Sequence, residues 1–203
     1  MIQFFDPMEE QTQNLECLKR QVIACQKCPL SKGRHNAVFG TGPADARIMV
    51  IGEGPGENED LQGVPFVGQA GRMLDNLLRR AGLKREDLYI TNVVKCRPPG
   101  NRDPEPDEVH ACWPFLMAQV EIIHPKVIVA LGKHATQRMS TRFGSMGDLL
   151  ACSDLQYGGI PVVAAYHPSY LLRAAQGSSE HARNLLLAAI DRFIKAGILA
   201  GAS

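Results

Sequence analysis

No stretch of this sequence is apolar for long enough to cross a bilayer. The longest apolar runs, Val127–Leu131 and Leu185–Ile190, fall far short of the ~20 residues that a spanning helix needs. An excess of one charge is also lacking: 22 Lys and Arg stand against 21 Asp and Glu, a formal net charge of +1. That balance excludes a global basic field, so any polyanion must be held by a local patch. The opening MIQFFDPMEE carries no basic-then-apolar leader pattern, and the expected location is the cytoplasm, with no membrane partner. Internal repeats and low-complexity tracts are missing as well, which leaves an ordinary globular chain.

What is present fits one well-filled core. The 203 residues are 45% hydrophobic and 21% charged, a composition usual for a soluble domain of this length. Apolar periodicity predicts a helix over residues 8–24, on Leu15, Leu18 and Val22. A buried strand follows at Arg47–Ile51, then a helix over Gln69–Ala81. The rhythm repeats with strands at Leu88–Val94, Lys126–Leu131 and Ile160–Ala165. Helices are expected from Asp107 to about Ile123, near His134–Met139 and over Glu180–Ala196. Alternating apolar strands and helices imply a mainly parallel sheet covered on both faces. The fold expected is therefore α/β: one three-layer αβα domain over residues 1–203, with a central, mainly parallel, four-stranded sheet. Ligands of such sheets bind outside the carboxyl ends of the strands. Those ends carry GEGPG, TNVVKC, LGKHA and YHPSY, four polar loops that should face one crevice.

Six cysteines in a cytosolic protein more often mean metal or catalysis than disulfides. Cys25 and Cys28 form a C-x2-C pair; after a gap of 67 residues come Cys96 and Cys112, spaced C-x15-C. Four thiolates suit a structural zinc or an iron–sulfur cubane, and unrelated reduced thiols stay open on spacing alone. A thioredoxin-type site expects its CxxC at a helix start after a strand, whereas this pair precedes the first strand. Cys17 and Cys152 have no nearby partner in the pattern.

Five motifs in order settle the comparison. GEGPGENED (52–60), GVPFVGQAGRMLD (63–75), YITNVVKCRPPGNRDPEPDE (89–108), ALGKHAT (130–136) and YHPSYLLR (166–173) resemble the motif set of the family 4 uracil-DNA glycosylases. The likeness spans roughly residues 15–195, and the four cysteines match that family's ligands in order and spacing. The resemblance implies an αβα fold and a [4Fe–4S] cluster on Cys25, Cys28, Cys96 and Cys112. It implies a monomeric, monofunctional enzyme that removes uracil from single- or double-stranded DNA and leaves an abasic site. Rival readings are a broader deaminated-base glycosylase, an inactive cluster-bearing DNA-binding module, and a zinc-stabilised structural protein.

Breaking an N-glycosidic bond builds cationic charge on the sugar and anionic charge on the base, so the site needs donors, a carboxylate and a pocket for a flipped base. By resemblance, His167 donates to uracil O2, Asn92 reads the O4 and N3–H edge, and Phe66 stacks on the base. Glu53 positions water or offsets the sugar cation, and Glu59 walls off uracil C5 against the thymine methyl, though these two roles can be exchanged. Glu57 and Asp60 are expected to be solvated loop charges. In the wider superfamily an Asp and a Tyr occupy the positions of Gly54 and Gly56, so catalysis should lean on His167, the glutamates and the loop backbone, which Gly54 lets approach the base. Tyr170, Leu171, Leu172 and Arg173 resemble an intercalation loop, while Lys133, His134, Arg97, Arg102 and Arg173 are placed to meet phosphates. The histidine-bearing insertion of covalent-trapping relatives is replaced by the short PPGNRDPEP, so no suicide attachment to DNA is expected.

Overall fold

The computed structural model describes residues 7–173 together with Glu180, Asn184 and Ala188. The helix expected over Glu180–Ala196 lies, apart from those three positions, outside the described residues.

Four strands form where apolar residues run together: β1 (Ile48–Gly52), β2 (Leu88–Asn92), β3 (Val127–Leu131) and β5 (Ile160–Ala165). β1, β2 and β3 are buried along their whole length. Successive side chains of a strand point to opposite faces. Met49 and Ile51 accordingly enter one core layer, and Ile48 and Val50 the other. The first layer is completed by α1 (Pro7–Ile23), through Leu15, Leu18 and Val22, and by α4 (Pro106–Ile123), through Phe115, Leu116 and Val120. On the second lie α3 (Gln69–Arg80), through Leu74, Leu77 and Leu78, and α7 (Pro168–Arg173), through Leu171. This is the expected three-layer αβα arrangement.

The sheet has five strands rather than four. Its order is β2-β1-β3-β5-β4, parallel except for β4 (Gln156–Tyr157), which pairs antiparallel with β5. Two residues give no readable alternation, so the strand escapes a periodicity search. Its turn does have a signature: Gly158 and Gly159 both take positive φ, 54° and 85°, as a two-residue hairpin loop requires. At the opposite edge, Thr41 forms an antiparallel bridge with Ile90, exchanging both main-chain hydrogen bonds at 3.0 and 2.8 Å. Two short helices also depart from the expected loops, α2 (Glu57–Gln62) and α6 (Met146–Ala151); between them runs α5 (Lys133–Ser140). At α6, Ser145 accepts from the Asp148 main-chain N–H and Asp148 accepts from that of Ser145, a reciprocal cap that stabilises even a short helix.

From β1 the chain passes to β2 on one side and then to β3 on the other. That reversal opens a crevice beyond the carboxyl ends of β1 and β3, where Glu53 and Gly132 emerge.

Candidate active site

A cleft of about 600 Å³ occupies this crevice, with Glu53, Gly54, Phe66, Asn92, Lys133 and His167 in its walls. The structure thus brings together the residues expected to handle base and sugar.

Asn92 ends β2 and is 1% exposed, yet its Oδ1 is buried without a hydrogen-bond partner. An unpaired buried amide oxygen costs on the order of 1–3 kcal/mol, so this atom awaits a donor. Phe66 lies against it, buried and at φ 53°, a backbone conformation that bulky residues rarely adopt. The turn is enforced from behind, since any β-carbon on Gly71 of α3 would fall 1.9 Å from the Phe66 carbonyl oxygen. The strained Phe66 ring stands 5.8 Å from that of His167.

His167 follows β5, and its proton can be placed by geometry. The Ser169 main-chain N–H, which can only donate, points to Nδ1 at 3.2 Å, and Ser169 Oγ lies 2.8 Å from the same nitrogen. Nδ1 is therefore the acceptor, and Nε2 carries the hydrogen of the neutral ring. Burial, and then the nearby Arg173 cation, push the ring's pKa down to about 4 against the opposing pull of Glu59, so the imidazole is neutral at pH 7.

The two glutamates differ in what holds them. Glu59 Oε1 accepts from the main-chain N–H groups of Val67 and Gly68 at 2.8 and 2.9 Å, and Oε2 accepts from that of Gly56 at 3.2 Å. Glu59 thus ties the start of α2 to the turn that presents Phe66. Glu53, by contrast, has a buried Oε1 with no partner. Burial raises its pKa above the usual glutamate value, His134 opposes the rise and Asp103 adds to it. Donor atoms of Glu53, Asp103 and His134 lie within 4.8 Å of one another, with His134 Nε2 3.4 Å from Asp103.

The rim departs from expectation at one residue. Leu171 is 4% exposed and belongs to the core, whereas Leu172 is 45% exposed. Neighbours on a helix point about 100° apart, so only one leucine of the pair can face outward. Lys133 and Arg173 are exposed beside the cleft. Arg102 is already engaged by Glu108 in a two-pronged pair at 2.9 and 2.7 Å, and Arg97 by Asn101 and Glu57.

A second cluster sits behind the β2 wall. Cys25, Cys28, Cys96 and Cys112 line one narrow void with Lys27, Arg34 and Phe115. Nitrogen donors face the sulfurs: Arg34 Nη1 reaches Cys96 Sγ at 3.0 Å, the Lys95 main-chain N–H reaches Cys112 Sγ at 3.3 Å, and that of Lys27 reaches Cys25 Sγ at 3.5 Å. As a bare thiol Cys112 is pushed up to about 11 by burial, so a bound metal would be needed to make it a thiolate. Converging donors and cations suit four anionic sulfurs, and the four residues fit a metal–thiolate group. Cys17 and Cys152 lie apart from this void.

Residues 39–190 match the Uracil DNA glycosylase superfamily. The chain is 46% identical over 190 residues to the type-4 uracil-DNA glycosylase of Thermotoga maritima, covering 89% of this chain and 95% of that protein. It is 47% identical over 167 residues to the type-4 enzyme of Saccharolobus solfataricus, covering 78% and 77%. With that of Pyrobaculum aerophilum it shares 41% over 191 residues, covering 89% and 97%. The chain belongs to the type-4 uracil-DNA glycosylases.

Three residues of this type-4 glycosylase stand out only in the fold. Gly52 ends β1 where a β-carbon would lie 2.4 Å from Asn92 Oδ1 and 2.6 Å from Phe66 Cζ; nothing in the sequence marks it from its neighbouring glycines. Asp60 is 1% exposed and accepts from the His35 and Asn36 main-chain N–H groups and from His35 Nδ1. The expectation of a solvated charge is overturned there, because its partners lie 24 and 25 residues away in sequence. Lys95, beside Cys96, is also 1% exposed, although a lysine between two loop residues reads as surface.

Proposed function

We propose that this chain hydrolyses the N-glycosidic bond of uracil in single- or double-stranded DNA and leaves an abasic site, acting in the cytoplasm as a monomer of one domain. One observation carries the reading: a buried, unpartnered Asn92 carboxamide oxygen in a cleft walled by an aromatic ring and a neutral histidine. Uracil N3–H supplies the donor that oxygen lacks, and the Asn92 Nδ2 then faces uracil O4. Cytosine offers the reverse edge, an acceptor at N3 and a donor at N4, leaving buried groups mispaired at about 1–3 kcal/mol each.

The base flips from the stack onto Phe66. As the glycosidic bond lengthens, negative charge gathers on uracil O2, where the Nε2–H of His167 donates. The ring needs no proton to transfer, since Ser169 holds Nδ1 and fixes the tautomer. Glu53, its oxygen free of protein partners, orients water at the sugar and offsets the sugar's positive charge. Glu59 acts as a positioning residue through its three main-chain contacts. Its Oε2 stands 2.8 Å from where a β-carbon on Gly56 would be, so it also supplies bulk on the flank where the superfamily tyrosine is missing. Gly54 keeps the loop close to the base, as a β-carbon there would press on Val94 at 2.9 Å. Leu172 fills the vacated stack, and Lys133 and Arg173 meet phosphates, while Leu171 anchors the loop from the core.

Cys25, Cys28, Cys96 and Cys112 are proposed to hold a [4Fe–4S] cluster that braces the segment carrying Asn92. Among the described residues no three of these sulfurs lie within 4.8 Å of one another. A zinc tetrahedron with 2.3 Å bonds needs sulfur edges of ~3.8 Å, so the wider spacing favours the larger group.

The test is incubation with uracil-containing single- and double-stranded oligonucleotides, followed by alkali to reveal abasic sites. Cleavage at uracil that is lost in Asn92→Ala and His167→Ala is the expected result. Absence of abasic sites on every uracil context would refute the assignment.

A further inference from the structure

Among the described residues, Lys95 is the one wholly enclosed basic side chain, and it lies in the wall between the cysteine cluster and Asn92. Its Nζ donates to Thr91 Oγ1 at 2.6 Å, to the Asn92 main-chain carbonyl at 2.7 Å and to Gln119 Oε1 at 2.6 Å. All three ammonium hydrogens are thereby used, and all three partners are neutral. Those partners are themselves fixed. Gln119 Nε2 donates to the Phe39 carbonyl and to Tyr89 Oη, each at 2.9 Å, and Thr91 Oγ1 donates to the Phe39 carbonyl at 2.7 Å. The lysine stem therefore enters a rigid polar cage formed by β2 and α4.

A buried ammonium is costly unless it is satisfied and faces negative charge. Among the described residues no carboxylate pairs with it, but its own main-chain N–H binds Cys112 Sγ at 3.3 Å and the next residue is Cys96. Thiolates at that centre would supply the negative charge that offsets the ammonium. Its other end grips the peptide unit whose side chain reads the base. That carbonyl lies at the last pair of the β1–β2 register, Gly52 opposite Asn92, where the sheet gives way to loop. The N–H of that same peptide unit, on Val93, donates to the Gly52 carbonyl at 2.9 Å, so the ladder holds one side of the unit and the ammonium holds the other.

We propose that Lys95 is a positioning residue for base selection, holding the Asn92 peptide from behind so that its carboxamide meets the uracil edge in register. The proposal rests on Asn92 as the base reader. It gives the cysteine segment a role in specificity as well as in bracing, because the same turn carries Lys95 and Cys96.

The test is a double-mutant cycle on the cluster-loaded enzyme with Lys95→Met, Asn92→Ala and the pair. Affinity for DNA bearing non-cleavable 2′-fluoro-deoxyuridine, or its cytosine counterpart, is measured beside kcat and KM. Lys95→Met is expected to lower kcat/KM for uracil by about tenfold or more, to narrow the uracil-over-cytosine affinity ratio, and to add almost no loss to Asn92→Ala. Visible absorption and iron content report separately whether the cluster remains. Thr91→Val keeps the lysine and removes one of its acceptors; it serves if Lys95→Met does not fold, and its loss should vanish in the Asn92→Ala background too. Additive losses, or an unchanged uracil-over-cytosine ratio, overturn the proposal. Failure of the unmodified enzyme to act on uracil instead overturns the reading of Asn92 on which it rests.

Discussion

Replacing Gly52 by alanine should damage catalysis far more than one methyl group suggests. The added carbon would stand 2.4 Å from Asn92 Oδ1 and 2.6 and 2.9 Å from Phe66 Cζ and Cε2. Carbon atoms prefer separations of about 3.5–4.0 Å, so the Asn92 carboxamide and the Phe66 ring must retreat by roughly 1 Å. Neither is free to do so without cost. Asn92 is gripped through its carbonyl by Lys95, and Phe66 is backed by Gly71 at a positive φ. Overpacking of this kind costs about 1–3 kcal/mol of stability, whereas a 1 Å misplacement of groups that orient a substrate can cost about a hundredfold in rate. The expected signature is a modest fall in the denaturation midpoint with kcat/KM for uracil excision down about a hundredfold. Gly52→Ala with near-native kcat/KM would show that the Gly52–Asn92–Phe66 contact does not set the pocket.

The acid side of the pH–rate profile should report Glu53. Its pKa is raised above that of an ordinary glutamate, so the carboxylate is lost, and activity with it, at a higher pH than for an exposed side chain. His134→Ala removes a neighbour that lowers this pKa and should move the acid limb upward, while Asp103→Asn removes one that raises it and should move the limb downward; shifts of the same sign would refute the pairing. Leu172→Ala should weaken excision from duplex DNA more than from single strands, since only the duplex needs a wedge to offset a flipping cost of a few kcal/mol. Leu171→Ala should instead cost about 2–5 kcal/mol of stability in denaturant unfolding. Cys112→Ala should lose visible absorption, iron and stability first and activity as a consequence; a stable, iron-free and fully active variant would contradict the bracing role.

Strands and long helices were legible because burial on two faces leaves continuous apolar runs, as in Val127–Leu131, and because one-sided burial leaves the spacing of Leu74, Leu77 and Leu78. Motif order located the cleft residues, and the fold does converge them. What escaped depended on distance in sequence or on the absence of a side chain. Asp60 reads as a surface charge until His35 and Asn36 close over it. Lys95 reads as a loop lysine until Thr91, Asn92 and Gln119 surround its nitrogen. Gly52 matters for the atom it lacks, and no residue pattern announces that. The leucine pair at 171 and 172 needed the helix phase, which a two-residue motif does not contain.

The two borders of the sheet have a further consequence. An uncovered strand offers its free N–H and C=O groups to any other extended chain, a standing hazard for intermolecular pairing. Here β5 is bordered by the two-residue β4, which turns back at once through Gly158 and Gly159. On the far border, Thr41 takes up the outward main-chain bonds of Ile90, and Val38 donates to the Lys95 carbonyl at 2.7 Å. Both sides are thus blunted within the described residues, by segments too short to recruit another strand. With both borders closed to strand addition, the loop-built end of the sheet that carries the cleft is left as the surface for a partner.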